Sequence, residues 1–100
     1  MKIIYKKVNE GQEIIEIEHG LENMQELVGG LIDCLDIQNN ITIVFDDEGK
    51  IKQKPVNMII TRGTWSDYIV GDIFFCGFNS DEGELISLTD QQIEYIMNMI

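Results

Sequence analysis

His19, Cys34 and Cys76 are the first side chains of this chain to weigh, beyond its carboxylates, for nucleophilic or general-base chemistry. A cysteine nucleophile needs a base beside it, and His19 is the only histidine. Neither cysteine belongs to a CxxC pair or lies near a second ligand type. Cys34 in Ile32-Asp33-Cys34-Leu35 and Cys76 in Phe74-Phe75-Cys76-Gly77 both read as buried thiols packed as small hydrophobes. Their number permits a disulfide, which a cytosolic setting disfavours. Asp46-Asp47-Glu48 brings three carboxylates together without the spaced ligands of a calcium loop, and reads as a solvated turn. A metal-dependent nuclease would need Asp33, Asp36 and Asp46 to converge on a rigid scaffold, and their spacing does not provide this. His19 follows a strand pattern and precedes a helix pattern, where it could approach an acid, but a lone histidine among acids is common without catalysis. The expectation is a non-enzyme with no catalytic residues, no metal and no cofactor.

The charge pattern carries more information. The net charge is −11, and the charges are segregated. Eleven acids and no Lys or Arg lie between Asn9 and Glu48, and seven acids and no bases follow Gly63. Lys50, Lys52, Lys54 and Arg62 occupy the acid-free stretch between these regions. Contacts to a nucleic-acid backbone need clustered bases, so direct nucleic-acid binding is disfavoured. An acidic surface either keeps a protein soluble or docks it on a basic partner, with encounter accelerated by steering.

The basic stretch supplies the candidate binding residues Lys50, Lys52, Lys54, Asn57, Arg62 and Trp65. The lysines and Arg62 could meet phosphates, and Trp65 could stack on a base, which would make a nucleotide binder or sponge. Against this, Lys50, Lys52 and Lys54 alternate along a predicted strand, as they would on a solvated or edge-protecting face. Arg62 and Trp65 also suit packing within a loop.

These residues must be positioned by a small set of elements. Met1–Val8 and Glu13–Glu18 read as strands joined by the Asn9-Glu10-Gly11 turn. Leu21, Met24, Leu27 and Val28 form the apolar stripe of a short helix over 21–28. Gly29-Gly30 closes it as a cap; a phosphate cradle would need the glycines before the helix, not after it. Leu31–Ile37 and Ile41–Phe45 read as strands. Asp46–Gly49 reads as a hairpin turn that returns through Lys50–Gln53, with Ile51 facing the core. Pro55 ends that strand or opens a turn of helix. Val56–Ile60 fits either a short helix or an irregular segment, and Thr61–Asp67 reads as a loop. Tyr68–Phe78 reads as a strand broken at Gly71, and Glu84–Ser87 as a short return strand. Thr89 with Gln92 forms a capping box, Leu88 with Ile93 a hydrophobic staple, and a helix runs over 89–99. Its apolar end is a candidate homodimer contact.

The whole is expected to be one domain, residues 1–100, of the α+β class with a mainly antiparallel sheet. No apolar run approaches the roughly 20 residues of a membrane span. Met1-Lys2-Ile3-Ile4-Tyr5-Lys6-Lys7 is too short and too charged for a signal peptide. A cytoplasmic protein without membrane contact is expected.

Several stretches, in order, resemble one family. They are Leu21–Gly30, Asp47-Glu48-Gly49-Lys50 leading to Pro55-Val56-Asn57, Ile69-Val70-Gly71, and Leu85–Asp90. Together they resemble the domain-of-unknown-function family 3846 over about residues 13–96. The resemblance implies a small protein of phages, plasmids or conjugative elements, and hence an anti-defence or regulatory role. It carries no catalytic residues over. The family usually has a second proline and a basic residue near the Pro-Asn segment, whereas Val56 and Met58 flank Asn57 here. The functional expectation is a small acidic binding protein of a mobile genetic element that engages a protein partner through that partner's basic surface. The alternative is the nucleotide binder built on residues 50–65.

Overall fold

The computed structural model describes residues 1–100, with the side chain of Arg62 excepted. The elements run β1 (Lys2–Lys6), β2 (Gln12–Glu16), α1 (Leu21–Val28), β3 (Ile32–Ile37), β4 (Ile41–Asp46), β5 (Val56–Arg62), β6 (Trp65–Val70), β7 (Ile73–Asn79), β8 (Glu84–Ile86) and α2 (Asp90–Met99). The fold is α+β, and all of its strand pairs are antiparallel.

β7 organises the main sheet, whose order is β2-β1-β7-β4-β3. Its first residues pair with β1 and its last with β8, so β8 continues the line of β1. Both of its faces are apolar, as a strand covered on two sides requires. Phe74 and Phe75 point to opposite faces and are both fully buried. On one face Met24 and Val28 of α1 pack against Ile3, Val44, Phe74 and Cys76. On the other, Ile96 of α2 and Ile60 and Ile69 of the β5–β6 hairpin pack against Ile4, Ile43 and Phe75. The result is three layers: α1, the sheet, and a layer shared by α2 and the hairpin.

Both helices lie where their patterns predict, and the capping box of α2 is formed. Gln92 N donates to Thr89 Oγ1, and Thr89 N donates to Gln92 Oε1. Leu88 and Ile93 enter one apolar cluster, as the staple requires. No helix among the described residues is long and apolar enough to cross a membrane.

Four local expectations are corrected. Lys50–Gln53 is not a return strand. Residues 47–53 coil into turns in which Lys52 N donates to Glu48 O and Gln53 N to Lys50 O, and Ile51 is 81% exposed instead of facing the core. Val56–Ile60 is neither helix nor irregular: it belongs to β5. The expected loop 61–67 is mostly the tip of a hairpin, with Gly63 and Thr64 between the strands and Gly63 at φ +59. The predicted burial of both cysteines holds for Cys76 only. Cys34 is exposed because its strand, β3, lies at the sheet edge.

Candidate binding cleft

The period-two geometry of β3 and β4 sorts their carboxylates onto two faces. Ile32 pairs with Asp46, and Asp33 with Phe45. Asp46 therefore points towards α1, while Asp33 and, one step beyond the ladder, Asp47 belong to the hairpin side. The run Asp46-Asp47-Glu48 is not one solvated cluster, because Asp46 is 3% exposed.

Asp46 collects two of the three lysines of the basic stretch. Lys54 Nζ lies 2.6 Å and Lys52 Nζ 2.9 Å from Asp46 Oδ2. Glu48 N donates to Asp46 Oδ1. Burial opposes ionisation of this carboxyl and is the largest single influence. The hydrogen bonds from Lys54, Lys52 and the Glu48 backbone, with the Lys54 charge, outweigh it and hold the pKa at about 2. The same two ammonium groups serve α1. Lys54 Nζ donates to Val28 O at 2.9 Å, and both reach Gly29 O. α1 has no basic residue in its last turn, so Lys52 and Lys54 bring positive charge to its negative end from the following loop. Gly29 caps the helix at φ +76. Gly30 leaves room for the cluster, since a Cβ there would lie 2.6 Å from Asp46 Oδ1 and 2.7 Å from Lys52 Nζ.

The other sequence candidates separate from this pair. Lys50 Nζ lies 2.9 Å from Asp67 Oδ1 and 4.2 Å from the Tyr68 ring centre. Its pKa is raised, first by the Asp67 hydrogen bond. Asn57 is a latch at the β-bulge of β5. Its Nδ2 donates to Lys6 O and Gly71 O, and its Oδ1 accepts from Lys6 Nζ at 2.7 Å. The Arg62 side chain lies outside the described residues. Trp65 opens β6 and is 46% exposed.

Trp65 and Lys50 share a cleft of about 330 Å³ between the sheet and the hairpin. Leu35 and Phe45 line it from the sheet, and Ile60, Trp65 and Ile69 from the hairpin. Its polar groups include Asp33, Asp47, Asp67 and Lys50. Asp67 is matched by Lys50, whereas no ammonium pairs with Asp33 or Asp47 among the described residues. Asp33 accepts the Cys34 backbone N–H at 2.8 Å. The sequence does hold a signal for this site. Leu31, just before β3, and Leu35 and Ile37 within it recur at period two, and Asp33 interrupts the series on the face that should be apolar.

An apolar strip leads away from the cleft across the hairpin. Tyr68, which also lines the cleft, pairs with Ile59, and both are exposed. Ile59 and Met99 then line a neighbouring groove of about 200 Å³ between β5 and α2.

Elsewhere, His19 Nε2 lies 3.0 Å from the backbone carbonyl of Leu85. The Cys76 thiol is pushed up to about 12, chiefly by burial, and Cys34 is also raised, first by desolvation and then by Asp33 and Asp36. Both thiols are thus held away from the nucleophilic thiolate. Among the described residues no three His, Cys, Asp or Glu side chains gather as a metal site.

Over residues 1–100 the chain matches the model of the family described as Domain of unknown function (DUF3846), and it belongs to that family. No match was found among curated proteins or solved structures.

Proposed function

We propose that this member of the DUF3846 family is a non-enzymatic binding protein that docks on a basic protein partner through the β5–β6 hairpin and the end of α2. The supporting observation is the cross-strand pair Tyr68–Ile59, with Met99 across the adjoining groove and Trp65 at the cleft mouth, whose large apolar side chains stay 42–68% exposed next to a cleft where Asp33 and Asp47 meet no ammonium among the described residues. Contiguous exposed apolar surface beside polar groups is the usual mark of a protein interface. The net charge of −11 repels acidic partners and nucleic-acid backbones and steers basic ones inward. The mobile-element setting implied by the family resemblance makes the partner a cytoplasmic host or element-encoded protein, and the consequence anti-defence or regulation.

The test is affinity capture from host lysate with the wild type and an Ile59→Asp/Tyr68→Ala variant, eluted in rising salt and read by mass spectrometry. The expected result is a basic protein held by the wild type, released at moderate salt and missing from the variant. Equal capture by both proteins, or no captured protein, would overturn the reading.

A further inference from the structure

We infer that the cleft between β3–β4 and the β5–β6 hairpin receives an arginine side chain of the basic partner. The source of that side chain rests on the docking reading above; the chemistry of the cleft is argued from its own residues.

The cleft has the size of a pocket for one long side chain. Its volume of about 330 Å³ lies at the lower end of the roughly 300–1,000 Å³ typical of ligand clefts. Its walls are apolar and aromatic, with Phe45 and Leu35 on the sheet side and Trp65 on the hairpin side. Asp33 and Asp47, both exposed, add two carboxylates that pair with no ammonium among the described residues. An open cleft with apolar walls, an exposed indole and carboxylates that no described ammonium pairs selects an occupant with an apolar stem and a cationic end. The chain supplies its own example of this chemistry, since Lys50 places its ammonium between the Asp67 carboxylate and the Tyr68 ring. Arginine suits the remaining space better than lysine. Its guanidinium is planar, weakly hydrated, stacks on aromatic faces and bonds carboxylates through two N–H groups.

Trp65 is the only tryptophan, so its fluorescence reports on the cleft alone. A dye-labelled peptide of alternating Arg and Ser would be titrated against the protein, following dye anisotropy for binding anywhere and Trp65 emission for entry into the cleft. A citrulline-Ser peptide, free argininamide and spermidine would serve as controls. The inference expects saturable changes in both signals with the arginine peptide, none with the citrulline peptide, and weaker binding of argininamide and spermidine. Asp33→Asn and Asp47→Asn, checked for native circular dichroism, would each raise Kd about tenfold. An anisotropy change without a Trp65 change, or binding indifferent to both Asn substitutions, would overturn the cleft assignment and leave the docking reading standing. Argininamide or spermidine binding as tightly as the peptide would overturn the partner as the source of the cation. No response in either signal would overturn the inference, while the lysate capture would still decide the docking reading separately.

Discussion

Lys54 Nζ and Asp46 Oδ2, 2.6 Å apart, join the end of the basic stretch to the end of β4 and close the C-terminus of α1 between them. The pair explains why lysines that alternate in sequence do not share one free face: Lys52 and Lys54 converge on Asp46, while Lys50 reaches Asp67. With Lys52 it locks residues 47–54 into turns, because both ammonium groups must reach one buried carboxylate and the carbonyls of Val28 and Gly29.

Asp46→Asn is expected to lower stability at neutral pH by about 2–3 kcal/mol, measured by urea unfolding. The folded pKa of about 2 lies below the ordinary 3.8, so folding favours the ionised form. That contribution is complete above about pH 4 and is lost as pH falls through about 2. The difference between wild type and variant should therefore shrink over this window. A constant difference from pH 7 to pH 2 would show that the ion cluster is not its source.

Asn57→Ala is expected to cost about 1–3 kcal/mol, because the Lys6 and Gly71 carbonyls lose their donor. Hydrogen exchange in β5 and β6 should accelerate more than in β7, since the latch ties the hairpin to the sheet. Unchanged exchange in the hairpin would refute this role for Asn57.

The two thiols should differ in access. Cys34 is exposed and Cys76 buried, so a disulfide-exchange reagent is expected to titrate one thiol in the native protein and two after unfolding. Because partial desolvation by its neighbours and the nearby Asp33 and Asp36 charges raise the Cys34 pKa even though the residue is exposed, its reaction at pH 7 should be slower than that of a free thiol and accelerate as pH rises. Cys34→Ser should abolish the native signal.

Nucleotides at millimolar concentration are expected to leave Tm unchanged, because Lys52 and Lys54 are held by Asp46 and Lys50 by Asp67. A rise in Tm would show that phosphates compete successfully for these lysines.

The main elements were legible because their signals are local. The α1 stripe, the capping box of Thr89 and Gln92, and the β-branched run of β4 act over a few residues, and these elements stand where the sequence puts them. The segment 50–67 was not legible for the same reason. Its apolar residues Met58 and Ile60 acquire a strand face only when the hairpin packs on Ile43 and Phe75, and the lysines turn back because a carboxylate on another element is buried beside them.

The sequence by itself determined the α+β class, both helices, most strands and the acidic balance of the surface, all of which follow from periodicity, capping and composition. Only the tertiary structure decided that Asp46 faces α1 while Asp33 and Asp47 face the hairpin, that Asn57 is a latch, and that Trp65 borders a cleft. These outcomes depend on strand pairing and layer packing between residues distant in the chain, where register and burial, not residue type, determine which charges meet.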